Sequence, residues 1–361
     1  MKIQYIGNFS DGTGWAKAST YNALSLTAAG YDIYCKEIRY NDRNITIEDE
    51  INNLLSKTSD SFDVIIHHVL PKDYKYVGGA KNIGFVELET LNLSDKIWLK
   101  NLSLMDEVFV PNEASKRCLI NSGFTKPIKI FNHTFNYNKI INSNSPAFVG
   151  ELNNKFNFIF VGEFSKRKNP EALVRAFQNE FHYVEPVNLV IKTNTSLDII
   201  GKFTQNVKRN MKNSERYKTE LIISEYLPED TLWAIMKQCH AFVMPSCGEA
   251  WCYPAMEAMA LGLPIIYTQG IGIEDYANTN ANYSVKSTVT PCYEAVDTFD
   301  TLYTSKDLWY EIDIIDLQMT MRNIYELHRN NNSQYSMLSR QNINNVQRYD
   351  FNNTAIARGV V

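Results

Sequence analysis

Ser246-Cys247-Gly248-Glu249-Ala250-Trp251-Cys252-Tyr253-Pro254-Ala255-Met256-Glu257-Ala258-Met259-Ala260-Leu261-Gly262-Leu263-Pro264 follows the apolar run Ala241-Phe242-Val243-Met244, and together they read as a strand, a tight loop and a helix. Four apolar residues in succession suit a strand buried on both faces of a parallel sheet. Gly248 punctuates the exit from it. Pro254 fits the first helical position, where a missing N–H costs nothing. Gly262 stands where a helix end calls for a left-handed residue, Pro264 forbids continuation, and Pro264 to Thr268 reads as the next strand. The product is a βαβ unit with an acidic loop at its turn.

The N–H groups of Ala255 and Met256, together with the positive end of the helix dipole, are expected to be free to receive an anion such as a diphosphate. Glu249 on the loop and Glu257 in the first helical turns flank that position. Carboxylates beside a phosphate suit hydroxyls of a sugar or a ribose, so the combination reads as a nucleotide-sugar site.

Glu249 and Glu257, with seven residues between them, match the spaced glutamate pair of retaining GT-B glycosyltransferases of family 4. The stretch Gly248 to Pro264 resembles that family's donor-binding signature over its whole length. The resemblance extends over nearly the whole chain, is strongest from Phe158 to Thr268, and is looser before Ile130. It implies an α/β protein of the GT-B fold, two Rossmann-like domains facing across a cleft that closes on a nucleotide sugar. It also implies a metal-independent retaining glycosyltransferase that moves a sugar to a hydroxyl acceptor. The chain holds no D-x-D motif and no cofactor is expected. No dedicated nucleophile stands out for the donor's open face, which fits the front-face retaining route proposed for the family.

A chain of 361 residues can build two medium domains, each with its own core. Hydrophobic residues at 44% and aromatics at 12% place it among globular proteins. A net charge of −4 argues against a surface devoted to nucleic acid. Six cysteines without a C-x-x-C pair suggest buried thiols, not a zinc site or a disulfide framework. The chain opens on a strand-like Met1-Lys2-Ile3-Gln4-Tyr5-Ile6-Gly7, with no signal peptide and no apolar run of transmembrane length, so a cytoplasmic protein is expected.

In order, a first Rossmann-like domain is expected over 1–145, on the acceptor side. Ile3 to Ile6 is its first strand, and Trp15 to Ala29 its first helix, closed by Gly30. Gly12 and Gly14, in the loop between them, let the backbone approach a ligand closely or serve a simple turn. In the family this loop lies across from the donor phosphates. The strand Phe62 to His67 ends at His67-His68, and either histidine can touch substrate or be a packing residue. Asn82 to Val86 ends in Glu87-Leu88-Glu89, where many family members carry a histidine. Glu87 and Glu89 are therefore candidates for acceptor hydroxyls, against solvated charges near the start of a helix from Ser94. His133, after the strand Ile128 to Phe131, reads as structural.

The polar stretch Tyr137 to Lys155 reads as the interdomain linker. A second domain, over 156–330, binds the nucleotide sugar. Its first strand, Phe158 to Val161, leads into Gly162-Glu163-Phe164-Ser165-Lys166-Arg167-Lys168, a cationic loop placed to neutralise a diphosphate leaving group. By the resemblance Lys168 is the second member of a basic pair that contacts the donor. Glu163 stands where the first is usual, and Arg167, or else Lys166, replaces it. Lys192 at the end of the strand Val187 to Lys192, and Trp251, Cys252 and Tyr253 on the glutamate loop, complete the donor candidates. A tail over 331–361 can cross back onto the first domain, as GT-B chains commonly do.

Two other classes share these features: a GT-B-fold epimerase, and a catalytically silent nucleotide-sugar-binding protein. The acceptor stays open among a glycan, a lipid-linked sugar, a protein side chain and a modified nucleic-acid base, the last not favoured.

Overall fold

The computed structural model describes residues 1–43, 45–147, 149–211, 217–295, 302–357 and 359. Part of the expected linker (Phe148) and of the expected tail (Arg358, Val360, Val361) lies outside the described residues. Two compact units divide the chain, one formed by 1–137 with 348–361 and the other by 138–347.

The first unit holds β1 (Lys2–Gly7), β2 (Asp32–Glu37), β3 (Val64–His67), β4 (Lys81–Phe85), β5 (Glu107–Val110) and β6 (Ile128–Ile130). They form one parallel sheet in the order β2-β1-β3-β4-β5-β6. Helices including Gly14–Ala28 and Glu113–Asn121 connect them. The helix expected from Ser94 begins at Lys96, because the Asp95 carboxylate caps it by accepting from the Ile97 and Trp98 amides.

The second unit holds β7 (Phe156–Val161), β8 (Val187–Lys192), β9 (Leu221–Ile223), β10 (Ala241–Met244), β11 (Ile265–Thr268) and β12 (Tyr283–Val285), parallel in the order β12-β11-β10-β7-β8-β9. Counted from its own first strand this is the 3-2-1-4-5-6 order of a dinucleotide-binding Rossmann sheet, whereas the first unit has the flavodoxin-like order. Every residue of β7, β8, β10 and β11 is buried, as strands covered by helices on both faces must be.

The helix Tyr253–Ala260 ends as expected. Gly262 has φ +83, and the Gly262 and Leu263 amides donate to the carbonyls of Met259 and Ala258 in a Schellman closure. Pro254 occupies the second helical position, after Tyr253.

Three features stand apart from the sequence reading. The stretch after Tyr137 contains a short helix, Tyr137–Ile141. An antiparallel pair, β13 (Ser287–Pro291) and β14 (Leu308–Ile312), follows the second sheet. The helix Asn332–Val346 packs within the second unit, where Asn342 donates to the Leu263 carbonyl, and only the chain from Arg348 onward joins the first unit, through a bridge between Phe135 and Asp350. All six cysteines are free and buried. Among the described residues no helix is long and apolar enough to cross a membrane.

Candidate active site

Strand order in the second unit reverses between β7 and β10, so the loops leaving their carboxyl ends lie side by side, where open α/β sheets bind ligands. The two loops are stitched together. The Cys247 amide donates to the Arg167 carbonyl at 2.7 Å, and Arg167 Nη1 donates to the Gly248 carbonyl at 2.8 Å. At the seam sits Glu249, only 4% exposed. Its Oε1 accepts from Lys168 Nζ at 2.6 Å and from Ser246 Oγ at 2.5 Å, with Arg167 Nη1 3.5 Å away. Burial alone would raise the Glu249 pKa, but the charges of Lys168 and Arg167 and the two hydrogen bonds outweigh it and hold the carboxyl below its ordinary value. Glu249 is therefore ionised, and the loop is a paired anion with two cations.

Of the two residues that could replace the family's first basic group, Arg167 faces Glu249, while Lys166 lies 4.0 Å from the exposed Glu294. Glu163 is exposed. Glu257 is buried within the helix Tyr253–Ala260.

The start of that helix differs from expectation. The Ala255 and Met256 amides are not free, because both donate to the Cys252 carbonyl, at 3.2 and 3.4 Å. Cys252 takes a left-handed conformation, φ +71, rare for a residue with a Cβ. That turn is held from outside by the Tyr276 hydroxyl, which donates to the carbonyls of Trp251 at 2.6 Å and Cys252 at 3.0 Å. Trp251, Cys252 and Tyr253 are all buried, and the Trp251 ring lies against Tyr276 with centroids 5.0 Å apart. Lys192 is buried too. Its Nζ donates to the Thr193 carbonyl and to Asn194 Oδ1, and burial pulls its pKa down.

The first unit has its own strand-order reversal, between β1 and β3. The loop after β1 is tied by Asp11, whose Oδ1 accepts from the Thr13 amide at 2.9 Å and hydroxyl at 2.6 Å. Gly12 has φ +70, and a Cβ there would lie 3.1 Å from Ile45 Cγ2. Gly14 opens the first helix behind the Thr13 cap.

After β3, β4 and β6 come His68, Glu87 and His133, and the topology brings them together. His68 Nε2 and His133 Nε2 each lie 2.9 Å from Glu87 Oε1. Both histidines are buried, whereas the Glu87 side chain is 25% exposed. The part of this cluster that reaches the surface is thus Glu87 and not His68. Burial alone would raise the Glu87 pKa, but the two imidazoles lower it to about 2. Glu89, on the same loop, is partly exposed. Among the described residues His68, Glu87 and His133 form a group whose ligand-type atoms lie close enough together to hold a metal ion.

Sequence reading missed the residues that hold the site: Ser246, Tyr276, and Gly272, whose amide donates to the Glu249 carbonyl at 2.9 Å. Gly272 lies beyond the end of β11, and its reach back to Glu249 has no local sequence signal. A cavity of about 410 Å³, lined by Phe156, His240, Tyr325 and His328, opens at the opposite, amino-terminal edge of the second sheet.

The sequence model of the family described as Glycosyl transferases group 1 matches residues 143–299, which include both stitched loops. The match supports a glycosyltransferase. Among solved structures, the chain is similar to sucrose-phosphate synthase of Thermosynechococcus elongatus at 14% identity and a TM-score of 0.64, over 99% of this chain and 96% of that one. HepE of Anabaena, in complex with UDP and glucose, shares 13% identity at a TM-score of 0.63, over 99% and 98%. A glycosyltransferase of Rickettsia africae shares 11% at 0.64, over 98% and 95%. These likenesses identify the fold as GT-B.

Proposed function

We propose that the protein is a metal-independent retaining glycosyltransferase that moves a sugar from a nucleotide-sugar donor to a hydroxyl acceptor. One observation carries this reading: Lys168 and Arg167 converge on an ionised Glu249 at the switch point of the Rossmann-ordered unit. The diphosphate leaving group carries the largest charge that develops during transfer, and fixed cations in a site of low dielectric are the strongest way to stabilise it. With Glu249 holding both cations in place, they are positioned before donor arrives. Glu249 then orients sugar hydroxyls and Glu257 the ribose, as the family resemblance implies. Arg167 supplies the charge that Glu163 does not, which favours an enzyme over a silent binding protein. HepE has been solved with UDP and with UDP-glucose, so uridine donors come first in the screen. The acceptor falls to the first unit, at Glu87 and Glu89.

The test incubates the protein with UDP-, GDP-, ADP- and dTDP-sugars, with and without EDTA, and follows release of sugar by proton NMR. Slow hydrolysis of one donor, unchanged by chelator and giving first the anomer of the donor, is the expected result. No hydrolysis of any donor, or hydrolysis abolished by EDTA, would overturn it.

A further inference from the structure

The hydrogen bonds behind His68 and His133 fix where every proton in that cluster lies. The Thr134 amide donates to Asn22 Oδ1 at 3.4 Å, which leaves the Asn22 Nδ2 protons to donate to His133 Nδ1 at 2.9 Å and to the Tyr5 hydroxyl at 3.4 Å. Burial pushes the Tyr5 phenol well above its ordinary pKa, so it stays protonated and donates to His68 Nδ1 at 2.7 Å. Ser19 Oγ stands 3.2 Å from the same nitrogen. With both Nδ1 atoms accepting, a neutral ring must carry its proton on Nε2. His68 Nε2–H donates to Glu87 Oε1 at 2.9 Å, and His133 Nε2 lies at the same distance from that oxygen, close enough to donate to it after a small turn of the ring. Neither ring then has a lone pair left for a metal ion at that oxygen. Among the described residues Glu87 Oε2 has no partner, on a side chain that is 25% exposed.

We infer that His68 and His133 are positioning residues, two neutral Nε2–H donors that clamp Glu87 so that its Oε2 accepts a hydroxyl of an uncharged, polyhydroxylated acceptor. This rests on the glycosyl transfer proposed above. The clamp is made by residues from β1, the first helix and the segments after β3 and β6, so it is built into the fold before any ligand arrives.

The test has two readouts on the full chain. Long-range ¹H–¹⁵N NMR of ¹⁵N-histidine protein, assigned with His68→Gln and His133→Gln, should show both rings as neutral Nε2–H tautomers near neutral pH and unmoved by added zinc chloride. Nδ1–H tautomers, or stoichiometric zinc shifts at both rings, would overturn the clamp. Saturation-transfer NMR with D-glucose and D-mannose as probe acceptors, in the presence of UDP, reads the second half. Glu87→Gln and His133→Leu should weaken the sugar signal by about tenfold or more, the scale of a lost hydrogen bond to a charged group. His133→Gln, which keeps an N–H donor, should restore most of it. UDP affinity measured by calorimetry should stay unchanged throughout. Equal sugar signal in wild type and Glu87→Gln, or none in wild type while UDP binds, would overturn the inference. A wild type that binds no UDP would instead overturn the transferase reading.

Discussion

Lys168 Nζ lies 2.6 Å from Glu249 Oε1, an ion pair joining the loop after β7 to the loop after β10, with Arg167 Nη1 as a second cation at 3.5 Å. Both partners are mostly buried, at 15% and 3% side-chain exposure. Such a pair has a definite mutational signature, because removing one partner strands the other.

Lys168→Ala should lower stability by about 2–3 kcal/mol, since Arg167 and Ser246 compensate part of a buried charge whose loss otherwise costs about 3–5. It should also lower transfer about 10²–10³-fold, the scale of losing one charge-stabilising donor. Adding Glu249→Gln should recover much of the thermal stability and none of the activity. Thermal melts beside initial rates check this, and a double variant as unstable as Lys168→Ala would contradict the pairing.

Glu87 and Glu249 both have pKa values depressed on folding. A depressed carboxylate contributes stability above its unfolded pKa and loses it as pH falls through the folded value. For Glu87 that window runs from the unfolded range of about 4.3 down to about 2. His68, and His240 at about 4, are depressed by burial, so they add a loss of stability as pH drops below the ordinary histidine value. Unfolding free energy should therefore decline in two stages on acidification. Glu87→Gln should flatten the lower one, as urea titrations across the pH range would show.

Tyr276→Phe removes the donor shared by the Trp251 and Cys252 carbonyls. A cost of about 1–3 kcal/mol is expected for buried acceptors left short of a proton. With Cys252 held at φ +71, the loop should also relax, raising KM for the donor more than it lowers kcat. A Tyr276→Phe variant with wild-type KM would show that this hydroxyl does not position the loop.

Gly270 has φ +96, and a Cβ there would fall 2.5 to 2.8 Å from three ring atoms of Tyr310 on β14. Gly270→Ala should cost more than about 2 kcal/mol, combining backbone strain with a clash against a rigid ring. Gly270→Ala with Tyr310→Ala should recover the steric part only, leaving roughly 1 kcal/mol of strain. Chemical denaturation of the three variants separates the two contributions.

The sequence made β10 and β11 of the second sheet legible because they are short apolar runs bounded by glycine or proline, signals that act locally. It placed Glu249 and Lys168 on the loops that leave β10 and β7 for the same reason, since a loop is read from where its strand ends. What it could not supply was contact between residues far apart in the chain. That His133 reaches Glu87, that Arg167 rather than Lys166 turns toward Glu249, and that Tyr276 and Gly272 grip the glutamate loop all depend on strand order. The helix start was misread because Pro254 suggested a first position, whereas Cys252 takes the left-handed turn and its carbonyl captures the Ala255 and Met256 amides. The pair β13 and β14 escaped because its strands are short and partly exposed, without the alternation that marks a half-buried sheet.

The most direct test of the central claim is calorimetric titration of UDP into wild type, Lys168→Ala and Arg167→Ala, each with and without EDTA. Binding to wild type should be unaltered by EDTA and weakened about tenfold or more by either substitution, as befits a charge-assisted contact to phosphate. UDP binding equally well to all three proteins, or only when a divalent metal is present, would contradict it.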